Sequence, residues 1–161
     1  MGLLNEILGR YKQGNVLNIG ACGFKLFIHS LYTFPLGFEI NEFADDRDPF
    51  DLPDISLGTY EPDLNGNLVF YNRPTPFPVD LYLIPNSGAD KNCRQLFNSN
   101  FQSSWKFSGN DLVTMIATYA SGETKIALGG HINIGSPMPS AAVNGRLKSQ
   151  HYQFIFNKPL N

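Results

Sequence analysis

The residues able to do chemistry in this chain are three histidines, two cysteines and one dense run of carboxylates, Asp45-Asp46-Arg47-Asp48-Pro49-Phe50-Asp51. Closely spaced carboxylates suit a hard cation such as calcium. The spacing here lacks the glycine that makes the sharp turn of a calcium loop and the glutamate that closes it, and Pro49 stiffens its middle. A solvated or partner-facing acidic loop is the expectation, with Asp45, Asp46 and Asp48 as its contact residues and no metal or cofactor. The chain contains no GxGxxG, GxxxxGK[ST], GxSxG or HExxH pattern, so the commonest nucleotide, hydrolase and zinc-protease signatures are missing. His29, His131 and His151 lie far apart in sequence and without a motif. Carboxylates are numerous enough between residues 39 and 63 for a glycosidase pair, but nothing singles out two of them. Trp105, in Phe101-Gln-Ser-Ser-Trp-Lys-Phe107, has the ring needed to stack on a sugar or to anchor an interface, although packing in a core is the commoner use.

Short strands joined by turns would have to position these groups. Phe24, Leu26 and Ile28 alternate through Phe24–Tyr32 as a half-buried strand does. Phe34-Pro-Leu-Gly37 reads as a turn leading to a second strand over Phe38–Phe43, and Ala44–Pro53 reads as a loop. Ile55–Tyr60 and Leu68–Tyr71 flank Asp63-Leu-Asn-Gly-Asn67, whose Asn-Gly pair is a hairpin signal. After the proline-rich 73–78 stretch, Val79–Ile84 is a strand. Pro85-Asn-Ser-Gly88 then opens a helix that Ser87 or Asp90 can cap, with Cys93, Leu96 and Phe97 on one side. Leu112–Tyr119 and Thr124–Leu128 bracket Ser121-Gly122 as another hairpin, His131–Ile134 is a short strand, and Tyr152–Phe156 is the last.

At the N-terminus Leu3, Leu4, Ile7, Leu8 and Tyr11 form a one-sided helical stripe that ends at Gly14. So short a helix is marginal in water, so Leu4, Ile7, Leu8 and Tyr11 need a surface to lie on, either their own domain or a neighbouring subunit. The expected organisation is one domain over 1–161, with 1–14 as an amphipathic extension.

The chain has 161 residues, enough for one real core. Only 16% of them are charged, against a usual quarter, while 13 Phe, 7 Tyr, 15 Gly and 11 Pro lean the composition towards β structure with many turns. A net charge of −2 gives no support to nucleic-acid binding. The charge is uneven, however: acids crowd Glu39–Asp63, and from Lys91 onward bases prevail, which would let one face of a copy attract the opposite face of the next. Two cysteines without CxxC spacing read as buried free thiols. The first residues lack the cationic start of a signal peptide, and no apolar run has membrane-spanning length, so synthesis in the cytoplasm and no membrane contact are expected.

The order of these features resembles a family, the tail-tube and baseplate tube-end proteins of contractile phages. The resemblance is carried by the acidic stretch Glu42–Phe50, the hairpin at Asn65-Gly66, the strand-to-helix block Pro78–Phe97 and the closing block Gly145–Phe156. It implies a mostly-β split barrel with one flanking helix, and a structural role without catalysis. It also implies copies assembled into a ring, six-membered in that family, with other tube, hub or baseplate proteins as partners and the virion tail as location. The N-terminal stripe and the proline-rich 73–78 stretch depart from a plain repeating tube subunit and favour a tube-end position. Two other classes remain. One is a carbohydrate-binding β-sandwich using Trp105, Tyr71 and Tyr82 as a platform. The other is a hydrolase with an acid–base pair converging in a pocket.

Overall fold

Period-two alternation of apolar and polar side chains organises the strands of this protein. The structure, a computed structural model, describes residues 2–3, 19–101 and 111–160. In chain order the elements are β1 (Lys25–Ser30), β2 (Phe38–Ile40), β3 (Phe50–Asp51), β4 (Gly58–Pro62), β5 (Leu68–Asn72), β6 (Phe77–Leu83), α1 (Gly88–Asn100), β7 (Val113–Thr118), β8 (Thr124–Ile134), β9 (Gln150–Phe156) and β10 (Lys158–Leu160). Leu26 and Ile28 of β1, Phe77, Val79, Leu81 and Leu83 of β6, Val113, Met115 and Ala117 of β7, and Tyr152, Phe154 and Phe156 of β9 all turn inward. Together with Ile40 and with Ala89, Cys93 and Leu96 of α1 they make the buried core.

Pairing is antiparallel throughout, in the order β2-β1-β7-β8-β9-β6-β3, with β10 alongside β8. β8 joins two halves of the sheet. From Thr124 to Gly130 it pairs with β7, and from His131 to Ile134 it pairs with β9. The change of partner falls at Gly129-Gly130. Gly129 has a left-handed φ of +68°, and a Cβ on Gly130 would overlap the buried Phe156 ring. Glycine at both places lets one strand bend from one half to the other without breaking. The sequence reading split this strand in two at those glycines. The structure makes it one strand of 11 residues, because the glycines bend the ladder and do not end it. The path is not closed: β2 and β3, at its two ends, do not pair with each other.

α1 is tied to the core at its first turn. Ser87 is the N-cap, its Oγ accepting from the Asp90 amide at 3.2 Å. Asp90, fully buried, accepts from the Tyr152 hydroxyl at 2.7 Å, from Arg94 Nη2 at 2.8 Å and from the Asn86 amide at 3.0 Å. The last bond holds Asn86 at its positive φ of 63°. Of the two caps the sequence offered, Ser87 caps and Asp90 anchors the helix to β9. Burial pushes the Tyr152 hydroxyl and the Cys93 thiol well above their ordinary pKa values, so both stay protonated.

Two further readings are corrected. Ala44–Pro53 is not wholly a loop, because the Ala44 amide donates to the Tyr82 carbonyl and the Tyr82 amide donates to the Pro49 carbonyl, which brings in β3 beside β6. Cys22 is exposed and only Cys93 is buried, and both thiols are free. The N-terminal stripe is a matter for the undescribed part of the chain: of its residues only Leu3 is described, and Leu4, Ile7, Leu8 and Tyr11 lie outside the described residues, as does Trp105.

Candidate interaction surface

The acidic run sits as an excursion between two stretches of backbone bonded to β6. There the chain's own basic half meets it. Arg146 Nη2 and Nη1 donate to the two carboxylate oxygens of Asp45 at 3.1 and 3.4 Å, and the Ser149 hydroxyl donates to Asp46 at 2.7 Å. These hydrogen bonds from Arg146 hold the Asp45 carboxyl below the usual carboxylate range and raise the guanidinium in turn. Arg47 lies 4.9 Å from the centroid of the Tyr82 ring, and Tyr82 stacks on His151 with centroids 4.6 Å apart. His151 Nε2 is 2.7 Å from Asp80 Oδ1, which also accepts from Gln153. Asp48 is exposed and forms no ion pair with a described residue. The acidic run and the basic half therefore already meet within one chain, at Asp45 and Asp46.

The His151–Asp80 pair is an acid–base contact on the half-exposed outer face of β6 and β9, where Asp80 and His151 alternate with core residues. Tyr82 has its ring engaged by His151 and Arg47, and Tyr71 stands on a different sheet. The tyrosines offered as a sugar platform are thus not brought together. Among the described residues no group of three or more His, Cys, Asp or Glu is placed to hold a metal ion, and no helix is long and apolar enough to cross a membrane.

Among the described residues, one exposed apolar surface is a feature the sequence reading passed over. β4 and β5 form a two-stranded sheet of their own, paired from Gly58 opposite Asn72 to Pro62 opposite Leu68. Its turn is held by Asp63, which accepts from the amides of Asn65 and Asn67, while Gly66 takes φ +80°. The Asn67 bonds keep the Asp63 carboxyl below its ordinary pKa. At the root, a Cβ on Gly58 would overlap the Tyr71 carbonyl, so only glycine lets the strands come together there. Tyr60, Pro62, Leu68 and Phe70 share one face of the hairpin and Val69 and Tyr71 the other, and all of them are exposed, Tyr60 at 70% and Leu68 at 71%. An isolated two-stranded hairpin is marginal in water, and a contiguous exposed apolar patch marks an interaction site. The signal was present in the sequence. Leu68-Val-Phe-Tyr71 is apolar without alternation, which demands cover on both faces.

A second apolar feature lies at the start of β1. The Phe24 ring packs on Phe43, Phe50 and Tyr119 at 5.4, 4.9 and 5.2 Å between centroids. Beside this cluster opens a cavity of about 450 Å³ lined by Ile19, Ala21, Phe24, Phe50, Tyr119 and Ala120, among others.

In comparison with known proteins, a family model described as "Tail fiber protein gp32" matches residues 17–159. No curated protein matches the sequence. Three chains from solved assemblies share the fold. One comes from the sheath/tube terminator of an extracellular contractile injection system in its extended state, with a TM-score of 0.51, 12% identity, and coverage of 91% of this chain and 98% of that one. Another comes from the six-fold symmetrised baseplate of the anti-feeding prophage, with a TM-score of 0.52, 7% identity and coverage of 91% and 96%. The third comes from the tube-terminating cap of the anti-feeding prophage, with a TM-score of 0.52, 9% identity and coverage of 91% and 93%.

Proposed function

From the premise that this chain belongs to the tail fiber protein gp32 family, we propose that it is a structural subunit of a contractile tail, seated at the tube end or in the baseplate, whose copies close into a ring. The observation that carries this is the β4–β5 hairpin, an apolar ribbon exposed on both faces among the described residues. Such a ribbon gains its stability from a neighbour. The unpaired ends of the sheet at β2 and β3 support a split barrel, and the bend at Gly129-Gly130 supplies its corner. The whole chain acts as one domain. The ring has six copies, a number supported by the six-fold symmetry of the baseplate that holds one of the similar chains. Further partners are other tube, hub or baseplate proteins.

In this reading the protein is not an enzyme and needs no cofactor, membrane or specific nucleic acid. Leu4, Ile7, Leu8 and Tyr11 face a neighbouring chain. Of Asp45, Asp46 and Asp48, Asp48 is the one left over for an intersubunit contact, since Asp45 and Asp46 are held from within. The location is the virion tail. The test is mass in solution by sedimentation, together with localisation of a tagged copy in purified particles. A closed multimer and label on the tail axis are the expected results. A chain that stays monomeric at all concentrations, or label on projecting fibres, overturns the proposal.

A further inference from the structure

We propose that the outer edge of β5 pairs with β5 of a second copy across a two-fold axis, giving a four-stranded sheet β4-β5-β5-β4 with Phe70 facing Phe70. The proposal goes beyond the ring reading, because a two-fold contact joins copies in pairs and does not itself close a ring. The hydrogen-bond phase of the hairpin selects this edge. In an antiparallel pair, opposed residues alternate between those that bond each other and those whose backbone groups point away. The Asp63 amide donates to the Asn67 carbonyl at 2.8 Å at one end of the hairpin, and the Arg73 amide donates to the Leu57 carbonyl at 2.9 Å at the other. With the register between them, that phase turns the backbone groups of Leu68, Phe70 and Asn72 outward on β5 and those of Pro62, Tyr60 and Gly58 outward on β4. Pro62 has no N–H, so β4 is short of a donor along its outer edge, while β5 presents a donor and an acceptor at every outward position. Laid antiparallel on its own copy about Phe70, that row is self-complementary. Phe70 bonds Phe70, and Leu68 bonds Asn72 in both directions.

Charge selects the same partner. Residues 54–72 carry Asp54, Glu61 and Asp63 and no lysine or arginine, yet β5 itself, Leu-Val-Phe-Tyr-Asn, is uncharged and free of proline and glycine. The end strands of the larger sheet are short and acidic, β2 with Glu39 over three residues and β3 with Asp51 over two, so they repel an acidic hairpin. A β5–β5 seam instead leaves the two Glu61 side chains on the outer strands, three strand spacings or ~14 Å apart, beyond the ~8–10 Å over which salt screens exposed charges. Across the seam Phe70 meets Phe70 and Val69 lies opposite Tyr71, aromatic and β-branched pairs of the kind that stabilise a sheet. Four strands with apolar faces also pass the size at which a sheet holds on its own, which the hairpin alone does not.

Two charge variants of the full chain test the seam, because the two-fold axis sets residue 70 against itself. Phe70→Lys and Phe70→Glu each place like charges opposite one another, and each should raise the concentration at which pairs form by about 10-fold or more in sedimentation velocity. Mixed in equal amounts, the two variants place Lys against Glu and should restore pairing, with one copy of each in every pair by native mass spectrometry. Leu64→Lys, at the fully exposed turn outside the seam, should pair like the unsubstituted chain. Thermal melting verifies that each variant is folded, and a variant that merely misfolds is not rescued by mixing. The proposal falls if the unsubstituted chain forms no pairs, if Phe70→Lys pairs as well as it does, or if the two variants melt normally and their mixture stays monomeric. Closed multimers that form equally well from Phe70→Lys would leave the ring reading standing and refute this contact. Pairs rescued by mixing, from a chain that never closes a larger multimer, would uphold the contact and refute the ring.

Discussion

Removing the two rings that face each other across the hairpin separates assembly from folding. Tyr60 and Phe70 sit opposite each other in register and keep 70% and 48% of their surface open. Taking roughly 200 Å² for a large aromatic side chain, about 240 Å² stands uncovered between them. Wholly covered, that area corresponds to about 6 kcal/mol at ~25 cal/mol per Å². Ordering and incomplete desolvation consume part of such a gain, and truncation of central aromatic anchors costs ~2–4 kcal/mol in measured interfaces. Tyr60→Thr with Phe70→Thr keeps the branched side chains that strands favour, so the hairpin itself should persist. Association should weaken about 30- to 1,000-fold per contact, read as a rise in the concentration at which multimers appear in sedimentation velocity. The thermal midpoint of the monomer should barely move, since solvent-facing substitutions usually stay within about 0.5 kcal/mol each. Unchanged assembly would refute the interface, and a large loss of monomer stability would mean that the hairpin belongs to the core.

Tyr152→Phe takes the hydroxyl donor from the fully buried Asp90 and should cost about 2 kcal/mol, a fall of about 4–8 °C in a thermal melt. Gly130→Ala drives a methyl into the Phe156 ring and should cost ~1–3 kcal/mol by overpacking, and adding Phe156→Leu in the same variant should cost less than the two separate losses together. Burial alone would raise the Asp111 carboxyl, but the hydrogen bonds from the Thr33 side chain, the Tyr32 amide, Ser30 and the Thr33 amide outweigh it and hold the group below its ordinary pKa. Its folded value is lowered, so the stability it lends is full above the unfolded carboxylate value near ~4 and is lost as pH falls through the folded one; the difference in melting between wild type and Asp111→Asn should shrink below that pH. Asp48→Lys should leave melting unchanged and slow assembly at low salt, an effect that rising ionic strength removes.

What was legible in the sequence was whatever depends on neighbours along the chain. Alternation in Leu26-Phe27-Ile28 and in Val79–Leu83 located β1 and β6, Asn65-Gly66 located a hairpin, and Ser87 located the start of α1. The failures all involve contacts across long separations. Nothing in Asp45 or Arg146 announces that residues 101 positions apart meet at 3.1 Å. Reading the acidic and basic halves as two faces kept for different neighbours overlooked that folding brings them together first. Gly129-Gly130 looked like the end of a strand because a glycine pair commonly is, and its tertiary role, clearance for Phe156, is visible only once β9 is in place. The apolar ribbon Leu68–Tyr71 was assigned as a strand correctly, but the lack of any face to bury it on is a property of the sheet it fails to join.

The pairing of Asp45 and Asp46 within the chain changes what the acidic run is for. A sheet edge with unsatisfied backbone groups recruits other strands, and proteins blunt such edges with short strands, bulges and charge. The segment along β6 does all three. It is bonded at Ala44 and again at Pro49–Asp51, it bulges between them, and the bulge is filled with Asp45, Asp46, Arg47 and Asp48. Arg146 and Ser149 then lock the bulge from the far side. Strand addition at this edge would have to displace a two-residue strand, break a bidentate ion pair and bring a backbone past three carboxylates. The hairpin has no such guard among the described residues: there its outer edges are unpaired and its aromatic residues are exposed. In the proposed reading, the edge at β3 is closed to strand addition by charge, and the hairpin is a surface left open to a neighbouring copy.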